Sequence, residues 1–269
     1  MRWTVALLLG SVVFAQDAKE IIQRSVQRDM LNFERLKDYT YVEHDEERSF
    51  DKHAKLVKTE RQTYDVLILG GHDYEKLIER DDKPLSPGDA HKEQEKMDKE
   101  IEQRKRESVD DKAKIEKRRR RQRKFLDEIP EEFNFQLLGV ENVSGKPAWV
   151  ISADPKPGYQ PKDRGAKLIS KMRGKVWIDQ GEYQWVKIEA QATGPVSFGL
   201  GMIRINSGAT VRFEQTRVND EVWLPASISI RVDGRAALFV GIHDEIDVRF
   251  RDYRKFHAES QMVSGDESK

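Results

Sequence analysis

The stretch from Gly174 to Glu189, G-K-V-W-I-D-Q-G-E-Y-Q-W-V-K-I-E, constrains the fold more than any other. Two alternating runs flank a short polar turn, the pattern of a β-hairpin. Setting Asp179 opposite Tyr183 places Trp177 opposite Trp185 and Val176 opposite Val186. One face then carries Val176, Ile178, Val186, Ile188 and Ala190, while the other carries both tryptophans among Lys175, Lys187 and Glu189. Opposed aromatics add about 0.2–1 kcal/mol per pair to a sheet. Large apolar groups on both faces call for cover on both sides, or for a cavity on one of them.

Further strands follow the same logic. Thr210–Val218 and Val222–Val232 form a second hairpin around Asn219-Asp220. Pairing Arg217 with Val222 sets Val211 opposite Ile228 and Phe213 opposite Ala226, with Val222, Leu224, Ala226, Ile228, Ile230 and Val232 along one side. In the last strand Ile242, Ile246, Val248 and Phe250 share a face, with Glu245, Asp247 and Arg249 opposite. Upstream, Asp17–Leu36 spaces Ile21, Ile22, Val26, Met30, Leu31 and Phe33 as one face of a helix. Strands follow from Tyr39, from Leu56 to Leu69 and from His72 to Arg80, the last two joined by Gly70-Gly71, a two-residue hairpin signal. Phe133–Val143 and Ala148–Ala153 flank a turn at Ser144–Pro147. The stretch 194–203 is apolar and glycine-rich with no clean period, and suits either a lip or a buried connection.

The G-K-V-W-I-D strand and its partner, V-N-D-E-V-W-L-P at 218–225 and F-R-D-Y-R-K-F at 250–256 resemble the secreted lipoprotein-sorting proteins of the LolA/LolB superfamily. The resemblance covers residues 16–85 and 133–257, and the half-barrel domain is expected over 16–85 and 130–257 with 86–129 as a charged insertion. It implies an α+β fold: a strand-rich antiparallel half-barrel with an N-terminal helix, whose apolar interior holds acyl chains. Its motifs are structural rather than catalytic. On that reading the residues lining the lipid site are Val176, Ile178, Val186, Ile188, Val211, Phe213, Leu224, Ile228, Ile230, Val248 and Phe250.

The intervening segment differs in kind. Pro87 after Ser86 suits a helix start. From Asp89 to Lys124 there are 15 basic and 10 acidic residues, with Glu95–Lys99, Glu100–Arg104, Glu102–Arg106 and Glu116–Arg120 at favourable i,i+4 spacing. One or two charged helices are expected, lying across the rim of the sheet or projecting from it. Their sharpest feature is Lys117, Arg118, Arg119, Arg120, Arg121, Arg123 and Lys124, an anion-contact candidate weighed against a simple solvated face.

Targeting and composition bound the function. Met1-Arg2-Trp3, the apolar run Val5–Phe14 and Val13-Phe14-Ala15 read as a secretory signal peptide spanning residues 1–15. The chain has no cysteine, hence no disulfide, no thiolate metal site and no lipidation point at the cleavage site. Its formal net charge is zero, which gives no global pull toward nucleic acid. No phosphate-binding loop, G-x-S-x-G or H-E-x-x-H occurs, and the six histidines stand singly. No cofactor and no metal are expected. Residues 258–269 are polar and expected to fray. The expectation is an exported, non-catalytic carrier for lipid acyl chains or lipidated proteins, held in the periplasm or else secreted. The alternative is an envelope interaction module that uses the charged helices to contact a protein partner or anionic headgroups, with peripheral membrane contact only.

Overall fold

A computed structural model describes residues 17–198, 203–236 and 240–256. The expected signal segment, the polar tail and residues 199–202 of the glycine-rich stretch lie outside the described residues. Asp17 caps the first helix, α1 (Ala18–Leu36), its carboxylate accepting the Lys19 amide at 2.9 Å. That bond satisfies an N–H group that the helix itself leaves unpaired.

The strands β1 (Tyr39–Phe50), β2 (Leu56–Leu69), β3 (His72–Arg80) and the short β4 (Lys83–Pro84) follow as a meander. Gly70 and Gly71 form the expected turn with φ of +59° and +85°, a region open to glycine at no steric cost. Helices α2 (Pro87–Lys105) and α3 (Val109–Gln122), a 3-10 turn (Lys124–Glu128) and α4 (Ile129–Glu132) come next. The chain then builds β5 (Phe133–Val143), β6 (Lys146–Pro155), α5 (Arg164–Ile169), β7 (Met172–Asp179) and β8 (Trp185–Ala192). It ends with β9 (Val196–Phe198), β10 (Ile203–Ile205), β11 (Thr210–Val218), β12 (Val222–Ala236) and β13 (Val240–Lys255).

One antiparallel sheet holds them in the order β4-β3-β2-β1-β13-β12-β11-β8-β7-β6-β5, with β10 and β9 branching from β12. The last strand inserts beside the first, so β13 ties the opening meander to the later strands. The outermost strands do not meet, and the sheet stays open. The architecture is the expected α+β one.

Both anticipated hairpin registers need correction. In the first, Ile178 pairs with Trp185, Trp177 with Lys187 and Val176 with Ile188. The Asp179 carboxylate collects the Gly181 and Glu182 amides at 3.0 and 2.8 Å, and the Asp179 amide reaches the Gln184 carbonyl at 2.9 Å. This broader turn leaves Val186 as the extra residue of a β-bulge. Val186 therefore leaves the face of Val176 and Ile178 and packs with Trp177, Ala148, Val150 and Trp223. Trp185 moves the other way, to the Ile178 side.

In the second hairpin Asn219 and Asp220 take φ of +50° and +53°, and Val218, not Arg217, pairs with Val222. Phe213 then faces Ile228 and Val211 faces Ile230, with an irregularity at Glu214/Gln215 that leaves Ala226 without a partner. Such a slip changes which residues meet across the sheet.

Among the described residues the core has three clusters. Beneath α1, Ala18, Ile21 and Ile22 pack on Ile151 and Ile178, with Trp149, Val176 and Trp185 alongside. The Trp177 cluster lies on the opposite face. Tyr39, Val222 and Leu224 form a third, closed by Leu36 and Tyr253.

Candidate functional site

The register fixes which side chains line each face of the central strands. On the α1 side one row runs Val176, Ile188, Phe213, Ile228 and Val248 across β7, β8, β11, β12 and β13. A second runs Gly174, Ala190, Val211, Ile230 and Ile246. Ile188, Phe213, Val211, Ile228, Ile230, Ile246, Val248 and Phe250 are all half-buried, neither sealed in a core cluster nor freely exposed. Trp185 borders the strip against Phe213 with ring centroids 4.8 Å apart. The strip is thus continuous with the packed zone under α1 and then opens beyond it.

At its far edge the strip meets acid. The two rows end on Asp45 and Glu47 of β1, and Phe250 faces Glu43. Tyr41 lies 5.7 Å from Phe250 and 5.4 Å from Tyr253, forming an aromatic floor beside these carboxylates. Burial, then the charges of Asp45 and Glu75, pushes the Glu43 carboxyl up to about 7. Burial and Glu75 also raise Asp45, whose Oδ1 is enclosed without a hydrogen-bond partner among the described residues. Removing a carboxylate from water disfavours its charged form, so both groups keep their protons to a higher pH than a solvated carboxylate does.

The opposite face is a charge ladder. Glu189 takes Lys187 at 2.9 Å and Arg212 at 3.2 Å, while Arg231 meets Glu245 at 3.0 Å. Arg48 bridges Asp247 and Glu245, and Arg61 meets Glu46 at 2.8 Å. Two open depressions lie on this side, of about 510 and 290 Å³, lined by residues such as Lys175, Glu189 and Arg212 in the larger and Glu141, Trp177 and Lys187 in the smaller. Neither is the apolar interior expected from the sequence. The apolar surface lies on the other face, as a strip.

Of the anticipated lipid-contacting residues, Ile188, Val211, Phe213, Ile228, Ile230, Val248 and Phe250 come together on the strip. Val176 sits at its α1 end, and Ile178 is fully buried beneath the helix. Val186 faces the other way, and Leu224 is fully buried with Tyr39 and Val222.

The basic cluster divides as well. Arg119 and Arg123 stack over the Phe33 ring, 4.5 and 4.3 Å from its centroid, and Arg123 pairs with Asp29, a buried residue of α1. Asp29 also accepts from Gln184 at 3.3 Å. Arg120 reaches Glu34 at 3.8 Å. Lys117, Arg118, Arg121 and Lys124 are exposed, with no acidic partner within 4 Å among the described residues. The brace on Asp29 escaped the sequence reading, although an acid at the Ile22–Val26–Asp29–Phe33 spacing marks a charge on an apolar face. Of the i,i+4 pairs, Glu100–Arg104 forms at 2.6 Å, whereas Glu102 takes Lys105 and Glu116 takes Arg119, three residues on. Helix α2 lies along the sheet, Lys76 of β3 donating to Gln94 at 2.9 Å.

No family model and no curated protein matches the chain. Among solved structures the similarities are low in identity and in TM-score. A domain described as an outer-membrane lipoprotein-sorting protein from Vibrio parahaemolyticus is 11% identical, with 90% of this chain and 95% of that one covered and a TM-score of 0.34. A DUF1329 family protein from Desulfovibrio piger is 11% identical over 88% and 92%, with a TM-score of 0.33. A LolA superfamily protein from Nitrosomonas europaea is 11% identical over 89% and 93%, with a TM-score of 0.31.

Among the described residues no group of three or more His, Asp or Glu side chains is placed to hold a metal. No described helix is long and apolar enough to cross a membrane.

Proposed function

We propose that the protein is an exported, non-catalytic carrier or binding protein for acyl chains, free or attached to protein, taken up along the strip on the α1 face. One observation supports this reading: half-buried apolar side chains run in register across β8, β11, β12 and β13, and among the described residues no core cluster includes them. Each methylene withdrawn from water contributes about 0.8 kcal/mol, so an alkyl tail lying on such a strip is held with no covalent step. Native mass spectrometry of the protein purified from its expressing cells tests this. Retained lipid, lost on Phe213→Glu, is the expected result; a bare protein that also ignores added fatty acid and phospholipid would end the proposal.

A second reading has its own support. Lys117, Arg118, Arg121 and Lys124 stand exposed and without acidic partners among the described residues, whereas Arg119 and Arg123 brace α3 on α1. That division between inner and outer cations suits a contact surface for an anionic partner. Exchanging the outer cations for glutamine should remove such a partner and leave folding unchanged.

A further inference from the structure

We infer that the amphiphile taken up along the strip carries a cationic ammonium head, seated among Glu43, Asp45 and Glu75 beside the Tyr41 and Phe250 rings. This deepens the first reading above and rests on it. The register puts all five groups on the strip's own face. Glu43 pairs with Phe250 and Asp45 with Val248, so both carboxylates continue the apolar rows directly. Tyr41 shares their side of β1, where its ring meets that of Phe250. Tyr41 in turn pairs with Val66, and Val66 with Glu75, which extends the same face onto β3. Glu75 is near enough for its charge to bear on both Glu43 and Asp45.

The fold gives these carboxylates no counter-charge. Among the described residues no lysine, arginine or histidine nitrogen lies within 4 Å of them, although Arg48, Arg61 and Arg254 pair with acids on the other face of the same strands. Nor does any described lysine or arginine stand over the Tyr41 or Phe250 ring. Aromatic faces attract cations, and rings beside carboxylates suit an ammonium group in particular. Charge complementarity then separates the possible occupants. A metal ion or a soluble polycation would use the carboxylates and leave the apolar strip bare. A fatty acid would cover the strip but set its own negative charge against the others. An alkyl chain ending in an ammonium matches both parts of the face.

Displacement of a neutral fluorescent alkyl probe from the full chain tests the inference at mildly alkaline pH. The competitors are dodecyltrimethylammonium, dodecyl maltoside and dodecanoate, matched in chain length and kept below their micelle-forming concentrations. The ammonium compound should displace the probe at a roughly 10-fold lower concentration than the maltoside, the sum of one partly exposed ion pair and one cation–ring contact. Dodecanoate should need more than either. Joint Glu43→Gln and Asp45→Asn should erase the ratio of ammonium to maltoside, and Tyr41→Leu should reduce it. Glu75→Gln, at an exposed position of β3, should lower the same ratio should the double variant not fold. Equal displacement by the ammonium and maltoside compounds, or a ratio untouched by these variants, overturns the inference and leaves the carrier reading standing. Displacement by oligolysine or magnesium as effective as by the ammonium compound does the same. A parent protein that takes up neither the probe nor any competitor ends the carrier reading and the inference together.

Discussion

Glu132 gives the sharpest stability prediction. It ends α4, is 1% exposed, and neither carboxylate oxygen has a hydrogen-bond partner among the described residues. Burial, with a smaller push from the charge of Glu128, raises its carboxyl from 4.5 to about 7. A carboxyl raised by folding binds its proton more tightly in the native state. Between about 4.5 and 7 the folded chain therefore holds protons that the unfolded chain has lost, and stability falls as pH rises through that window. The drop levels off above the folded value. At about 1.4 kcal/mol per pH unit, the full shift corresponds to about 3 kcal/mol. Glu132→Gln, which cannot ionise, should lose this component of the pH dependence. Urea unfolding at acidic and mildly alkaline pH measures it: the variant's stability relative to the parent should improve by about 3 kcal/mol from the first condition to the second. An unchanged pH profile in the variant would refute the reasoning, since it would mean that water or a cation reaches this carboxylate.

Two further outcomes follow from the same physics. A Cβ at Gly174 would press into the backbone of Glu189 and Ala190, so Gly174→Ala should destabilise the sheet by roughly 1–3 kcal/mol in the same urea assay. Because Glu43 sits at the acidic edge of the strip with its carboxyl near 7, a fatty acid whose head lies there should bind more tightly as pH falls through that value, and Glu43→Gln should flatten the dependence in a fluorescence titration.

Much of the architecture was legible because it depends on local chemistry. Asp17 caps α1, the paired glycines at 70–71 close β2 on β3, and Ser86-Pro87 starts α2. The strands of the apolar strip declared themselves by alternation, which is why most of the anticipated lipid-facing residues share a face. Alternation failed where a residue was inserted. The bulge at Val186 comes from a turn organised by the Asp179 side chain, and nothing in the apolar pattern records an amide-to-carboxylate bond. The irregularity at Glu214/Gln215 displaced the second hairpin in the same way. Leu224 and Ile178 keep the expected apolar character but are enclosed by neighbours from distant strands and from α1. The basic run of 117–124 reads as one cluster in sequence. Tertiary packing divides it, because Phe33 and Asp29 of α1 claim Arg119 and Arg123.

Titration of a fluorescent acyl probe into three matched proteins tests the strip most directly: the parent, Ile228→Glu on the strip, and Gln191→Glu on the charged face. Saturable binding that survives Gln191→Glu and disappears with Ile228→Glu is the predicted result. Binding that ignores Ile228→Glu, or that is absent from the parent, would contradict it.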